Sequence, residues 1–166
     1  MKQVDAIDLA MTREKLGHDF YLDATETTNN PSGQKVFHWL ARQEQTHFNA
    51  LKRLRDALLR DAPEEAEQSL TSSKTPQWPI PGEVTESTNA QEALQMAIEA
   101  EKASVSFYRT TEQVTPDKGA KTMFSELVRE EQKHLQLLEI QLDALIRGES
   151  FIELNSPEME KLLHAD

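Results

Sequence analysis

The chain has 166 residues, a net charge of −11 and no cysteine, and this length suits a single domain with a sizeable core. The negative charge argues against binding to nucleic acid or to an anionic membrane surface, because phosphate recognition needs clustered lysine and arginine. The lack of cysteine excludes disulfides, iron–sulfur clusters, a thiol nucleophile and any cysteine-ligated metal in this chain.

The first predicted element is a helix over residues 3–28. It follows an N-terminus without the apolar run of a signal peptide, and no stretch approaches membrane-spanning length, so we expect a cytoplasmic protein. Apolar residues recur three and four positions apart, and Glu14 falls within their stripe, where a solvated glutamate is not expected. His18 lies one turn later; it could bond the Glu14 carboxylate, be a seventh ligand or be a satisfied core histidine. We place it beside the site and not among its ligands.

The second predicted helix covers residues 32–60, after a break rich in Thr, Asn, Pro and Gly. Pro31 suits an early position of this helix because its missing N–H would be unpaired there anyway. Glu44 and His47 occupy inward positions among large apolar neighbours. Their spacing of three residues puts both side chains on one helical face.

Residues 61–88 lose the helical pattern and are rich in Pro, Ser, Thr and Glu. This length suits the crossover that lets the second and third helices lie parallel, as in ferritin-like topology. A short helical turn over residues 64–70 is compatible with it, and Trp78 and Ile80 are expected to pin it against the bundle. A disordered linker is the alternative.

The third predicted helix begins after Thr88 or Asn89, either of which can cap it, and ends near Val114. The fourth runs from about Pro116 to Arg147. A short tail helix follows over residues 156–164. Together these elements predict an all-α, ferritin-like four-helix bundle in one domain, with hairpins over residues 3–60 and 89–148.

The two predicted hairpins are copies of each other at an offset of 87 positions. The offset pairs Ala10 with Ala97, Glu14 with Glu101, Phe20 and Tyr21 with Phe107 and Tyr108, Phe37 with Phe124, Glu44 with Glu131 and His47 with His134. Each half supplies one lone glutamate and one Glu-x-x-His motif, which together form the ligand set of a carboxylate-bridged dinuclear metal site. The predicted metal ligands are Glu14, Glu44, His47, Glu101, Glu131 and His134.

If the two hairpins pack with pseudo-twofold symmetry, chain geometry places the four carboxylates at one level along the bundle. Glu14 and Glu44 are equidistant from residue 29 in the first turn, and Glu101 and Glu131 are equidistant from residue 116 in the second. At about 1.5 Å per residue, each pair lies roughly 22 Å from its turn. Two divalent cations would balance four buried carboxylates, with Glu44 and Glu131 as bridges and Glu14 and Glu101 as terminal ligands. Iron or manganese suits such oxygen and nitrogen ligands, and zinc is compatible. The alternative is a plain bundle whose polar residues set register.

With these motifs the chain resembles the rubrerythrin branch of the ferritin-like superfamily over both hairpins. The resemblance implies two iron ions that react with hydrogen peroxide or dioxygen, and often a dimer. The position-by-position match assigns the same six ligands. It also makes Tyr21 and Tyr108 the family's tyrosines that orient ligating carboxylates.

The chain departs from rubrerythrins at two points. They carry a further glutamate one turn after the third-helix ligand, where this sequence has Ser104. They also commonly carry a cysteine-rich rubredoxin domain, which is not part of this sequence, so electrons would come from a separate donor such as a rubredoxin-like protein or a flavoprotein.

The leading functional prediction is a di-iron oxidoreductase, either a peroxide reductase or a ferroxidase. One alternative is iron binding and storage without turnover of an outside substrate. Another is a structural module that the metal stabilises. We expect a homodimer, and exchange of hairpins between its subunits is compatible with the same ligands.

Overall fold

The computed structural model describes residues 3–61 and 82–165. Within them lie five helices and no strand, which confirms the predicted all-α bundle with a short C-terminal helix. They are α1 (Gln3–Thr27), α2 (Pro31–Asp61), α3 (Ala90–Val114), α4 (Lys118–Ile146) and α5 (Pro157–Leu163). None of these helices combines the length and apolarity that a bilayer span requires. The predictions for Trp78, Ile80 and the turn at 64–70 lie outside the described residues.

Side chains that cap the first turn determine where the helices begin. Asn30 accepts hydrogen bonds from two backbone N–H groups at the start of α2, at 2.9 and 3.0 Å. Asn89 and Glu92 form a reciprocal capping box at the start of α3. The fourth helix begins two residues later than predicted, because Asp117 caps it by accepting from the N–H of Ala120 at 2.8 Å.

The bundle consists of two helical hairpins, α1 with α2 and α3 with α4, packed so that α1 contacts α3 and α2 contacts α4. On the facing sides of α1 and α3, Tyr21 bonds Glu101 and Tyr108 bonds Glu14. Residue numbers therefore rise along one helix as they fall along the other, so α1 and α3 are antiparallel. It follows that α2 and α3 are parallel, which is the arrangement that the long connection was predicted to serve.

The apolar core consists of two separate clusters. One contains Phe20, Val36, Phe37, Leu94 and Leu138, and the other contains Ile7, Leu51, Val105, Phe124 and Leu127. Each of the four long helices contributes residues to both clusters. Between the two clusters, each helix carries one or two buried glutamate or histidine side chains. The bundle therefore has a polar layer closed off at both ends by apolar packing.

Gln141, on α4, forms hydrogen bonds with the backbone of Ile152 in the segment that follows this helix. Its fully buried amide donates to the carbonyl of Ile152 at 2.9 Å and accepts from the N–H of the same residue at 2.8 Å. We expect Gln141→Leu to lower the free energy of unfolding by about 2 kcal/mol, because both backbone groups of Ile152 would lose their partner. Urea denaturation would measure this, with Gln136→Leu at an exposed position of α4 as the control. An equal effect of the two substitutions would contradict this role.

Candidate metal centre

The predicted ligands all lie in the polar layer between the two apolar clusters. Glu14 comes from α1, Glu44 and His47 from α2, Glu101 from α3, and Glu131 and His134 from α4. All six are buried: Glu131 and His134 are completely covered, and the most exposed, His47, retains 7% of its surface. Such burial is unusual for glutamate unless its charge is compensated.

These six side chains form two overlapping groups. One contains Glu14, Glu44, His47 and Glu131, and the other contains Glu44, Glu101, Glu131 and His134. Within each group, one oxygen or nitrogen atom per residue lies within 4.8 Å of all the others. Glu44 and Glu131 belong to both groups, which is the placement predicted for bridging carboxylates. The geometry therefore brings together all six predicted residues.

Both histidines direct Nδ1 toward the carboxylates. His47 Nδ1 lies 3.2 Å from Oε2 of Glu14 and 3.2 Å from Oε1 of Glu131. His134 Nδ1 lies 3.0 Å from Oε2 of Glu131 and 3.3 Å from Oε1 of Glu44. Nδ1 is therefore the atom that each histidine would offer to a metal ion. The two imidazole rings stack on each other, with centroids 5.5 Å apart.

Two buried tyrosines link the hairpins through the outer glutamates. The Tyr21 hydroxyl donates to Oε1 of Glu101 at 2.5 Å, and the Tyr108 hydroxyl donates to Oε1 of Glu14. The 87-residue offset relates one of these bonds to the other, so the arrangement is reciprocal. Each hairpin thus bonds a carboxylate of the other hairpin, and the role that the resemblance implied for these tyrosines, orienting metal ligands, stays a prediction.

The surroundings of three of the buried carboxylates, Glu44, Glu101 and Glu131, shift their pKa values. Burial, with the charges of Glu131 and Glu14, raises the pKa of Glu44 well above 4.5, and burial with Glu131 and Glu44 does the same to the pKa of Glu101. Burial also disfavours the charged form of Glu131, but the nearby His47 and His134 outweigh it and hold its pKa well below 4.5.

The imidazoles respond to Glu131 in turn. Burial lowers the pKa of His47 and of His134, but the negative charge and hydrogen bonding of Glu131 outweigh burial and raise both values above 6.5. Burial and the neighbouring carboxylates raise the pKa of both tyrosines well above 10.0, which keeps their hydroxyls protonated as donors. Without metal, protons therefore supply the positive charge that the carboxylates need.

The donor set fits two divalent cations. Oε1 of Glu44 and Oε1 of Glu131 are buried, and among the described residues the nearest donors, Nδ1 of His134 at 3.3 Å and Nδ1 of His47 at 3.2 Å, are not well aligned with these oxygens. Buried polar atoms normally have a well-aligned partner, and a metal ion beside each shared carboxylate would supply one. Two divalent ions would also balance the charge of four carboxylates, whereas protons must otherwise do so.

Comparison with known proteins identifies the family. The family model for Rubrerythrin matches residues 5–142. The chain belongs to the rubrerythrin family. A hypothetical protein from Pyrococcus furiosus has a similar structure, with a TM-score of 0.69 and 18% sequence identity over 91% of this chain and 94% of that chain, which supports the shared fold. No curated protein matches the chain significantly.

Other predicted residues lie outside the two groups of this rubrerythrin-family centre. His18 is half-buried, and its Nδ1 lies 3.0 Å from Oδ1 of Asp19. Ser104, at the position of the family's additional glutamate, accepts a hydrogen bond from Arg13 at 2.6 Å. His38 and His164 are exposed.

The sequence interpretation missed two residues beside the centre, Arg13 and Gly17, and assigned Trp39 no place in it. Arg13 bonds Ser104 and lies over the Phe107 ring at 5.6 Å from its centroid, joining α1 to α3. The half-buried Trp39 ring meets His134 edge-on, with centroids 5.6 Å apart. Gly17 lies against Glu44. A signal existed only for Gly17, since a glycine inside a helix is unfavourable and indicates a packing or functional reason.

The tyrosine bonds can be tested one at a time. We expect Tyr108→Phe to weaken divalent metal binding by about tenfold, because partners of ligating groups typically contribute 10–100-fold to affinity. The ring would keep its packing against Phe124, so helicity should not change. Equilibrium dialysis with Mn²⁺ would measure the effect, and Tyr21→Phe should behave alike if the reciprocal arrangement holds. Wild-type affinity in both variants would show that these bonds do not position the carboxylates.

Proposed function

We propose that this rubrerythrin-family protein is a di-iron oxidoreductase that reacts with hydrogen peroxide or dioxygen. The observation that carries the proposal is the pair of buried groups that share Glu44 and Glu131. A structural metal would need only enough ligands to hold it. Two adjacent positions joined by shared carboxylates suit redox chemistry in which two metals act together.

The six residues would hold two iron ions, which would supply the electrons that reduce the oxidant. The protein's own groups set the conditions for that reaction. Tyr21 and Tyr108 donate to the outer carboxylates and restrain their orientation. The apolar clusters above and below exclude bulk water. His47 and His134 reinforce the placement of Glu131, the carboxylate that both contact.

Each turnover would consume two electrons and two protons per peroxide, giving two water molecules. Because the chain has no cysteine, it has neither a thiol nor a rubredoxin-type iron to supply electrons. We therefore propose a separate donor, a rubredoxin-like protein or a flavoprotein. Iron oxidation with dioxygen is the variant of this proposal in which ferrous iron itself is the substrate.

Anaerobic loading with ferrous iron tests the proposal. We expect two ions per chain, one for each group, and rapid development of near-ultraviolet absorption on adding hydrogen peroxide or air. The faster oxidant would distinguish peroxide reduction from a reaction with dioxygen. Bound iron that is indifferent to both oxidants would favour a structural module, and the proposed activity would then be wrong.

A further inference from the structure

Trp39, on α2, lies between the metal centre and the protein surface. Its ring meets the ring of His134 edge-on, with centroids 5.6 Å apart. His134 in turn contacts both shared carboxylates through Nδ1, at 3.0 Å from Glu131 and 3.3 Å from Glu44. The two tyrosines that bond the outer glutamates are buried within the bundle, whereas Trp39 is half-buried. Trp39 therefore joins a predicted metal ligand to the outside of the protein.

Trp39 also lines a surface cavity of about 450 Å³. Residues of α2 and α4 line this cavity together with Leu154, Asn155 and Leu163 from the C-terminal segment. Sites for small molecules and cofactors usually measure about 300–1,000 Å³ and combine apolar or aromatic walls with a few polar groups. The cavity therefore has the size and lining to admit a single small ring system beside the indole.

The internal duplication does not repeat Trp39. The 87-residue offset places Glu126, an exposed residue of α4, at the equivalent position. The six ligands and the two tyrosines do occur in both halves, as expected for groups that hold two metal ions. A side chain that serves metal binding alone would be expected twice, whereas one route for electrons into the centre is enough.

Electrons have to cross the protein to reach the centre, because two apolar clusters enclose it. Electron transfer slows steeply as the distance between donor and acceptor grows, and it is faster through side chains in contact than across a gap. The chain has no cysteine with which to hold an iron donor of its own. Contact from the cavity through Trp39 to His134 provides a short route from an external donor.

We propose that Trp39 carries electrons from a donor in this cavity to the dinuclear centre, and that the donor's redox group is a flat conjugated ring of the flavin type. This inference rests on the proposed function, because it assumes that iron occupies the centre. A flat ring can enter between the apolar side chains of Leu154 and Leu163 and contact the indole directly. An iron ion held by cysteines stays inside its own protein. Trp39 acts through His134 and is not itself a ligand.

The electrons and protons of this step balance. Each reduced flavin loses two electrons and two protons and becomes oxidised flavin. The electrons pass one at a time through Trp39 and His134 and convert two ferric ions to two ferrous ions, while the protons are released to solvent. Peroxide later takes the two electrons, together with two protons, and gives two water molecules. Trp39 is unchanged at the end of the cycle.

Single-turnover reduction by reduced riboflavin tests the inference. The iron-loaded protein is first oxidised with ferricyanide, and the visible absorption of oxidised riboflavin then follows its anaerobic reduction. We expect Trp39→Leu to lower the rate constant by about tenfold or more, equivalent to about 1.4 kcal/mol in the activation barrier. Trp39→Phe retains a ring and should recover most of the rate. His38→Leu, at the adjacent exposed position of α2, is the control and should react like the wild type.

Two further measurements separate electron transfer from a merely structural role. Trp39→Leu should bind Mn²⁺ with wild-type affinity in equilibrium dialysis, and its ferrous form should react with peroxide at the wild-type rate. Asn155→Trp leaves Trp39 in place but adds a bulky ring to the cavity lining. This variant should need more riboflavin than the wild type to reach half of the maximal reduction rate.

An unchanged reduction rate in Trp39→Leu would overturn the inference. A loss of Mn²⁺ affinity that matches the loss of rate would also overturn it, because Trp39 would then only hold His134 in place. So would an unchanged riboflavin requirement in Asn155→Trp, or a wild type that reduced rubredoxin can reduce and riboflavin cannot. The proposed function is judged separately: if riboflavin reduces the iron through Trp39 but the reduced iron ignores peroxide and air, the electron route stands and the activity does not.

Discussion

Glu131→Gln should weaken binding of divalent metal by more than about 100-fold, the largest loss expected for any single substitution in this chain. Glu131 belongs to both groups and contacts both histidines. The amide has nearly the same shape as the carboxylate, but it lacks the charge and one of the two strong acceptor atoms. Both metal positions should therefore weaken together, and reactivity toward peroxide or dioxygen should disappear with them.

Glu130→Gln is the matched control for this experiment. Glu130 is the preceding residue on the same helix, is half-buried and pairs with Lys133 at 3.4 Å, outside both groups. Isothermal titration with Mn²⁺ would compare the two variants, and circular dichroism would verify that both remain helical. If Glu131→Gln binds metal like Glu130→Gln, the assignment of Glu131 as a shared ligand is wrong.

Removing the metal should produce the second large effect, on stability and on its pH dependence. At free metal about 1,000-fold above the dissociation constant, binding stabilises the folded state by about 4 kcal/mol. For a chain of this size that corresponds to roughly 8–16 °C in melting temperature. Thermal denaturation at about pH 8 with and without a chelator would measure it. An unchanged melting temperature would contradict metal binding to the folded protein.

The sign of the pH dependence follows from the pKa shifts of the metal-free protein. The pKa values of Glu44 and Glu101 are raised in the folded state, so their protonation contributes stability below the unfolded value of 4.5 that is lost as pH rises through the folded values. The raised pKa values of His47 and His134 act in the same direction above 6.5. The lowered pKa of Glu131 matters only below 4.5, where its contribution is lost as pH falls.

The metal-free protein should therefore melt at a higher temperature at about pH 5.5 than at about pH 8. The metal-loaded protein should show a smaller or opposite trend, because metal ions bind the deprotonated ligands and compete with protons. Glu44→Gln removes one of the titrating groups and should flatten the metal-free profile. A metal-free protein that becomes more stable toward pH 8 would show that the buried carboxylates are not the source of the pH dependence.

The sequence alone predicted the helices, their pairing and the six buried residues that the structure brings together. The duplication marked Glu14 and Glu44-x-x-His47 as copies of Glu101 and Glu131-x-x-His134, and equal distances from the turns placed them at one level. These features are local or repeat at a fixed offset, so helical periodicity is enough to find them. The observed helix ends lie within one or two positions of the predicted ones. The largest difference is at the start of α4, which Asp117 caps two residues later than predicted.

Contacts between helices were decided only by the tertiary structure. Periodicity shows which face of a helix is buried, but it does not specify the rotation and offset of one helix against another, which depend on how whole surfaces pack. Three kinds of contact depend on that packing. They are the hydrogen bonds of Tyr21 and Tyr108 between the hairpins, the hydrogen bond from Arg13 to Ser104, and the edge-on contact of Trp39 with His134. The same holds for Gly17: the sequence contains a glycine one turn after Glu14, but only the packing of α1 on α2 brings the Glu44 carboxylate against it.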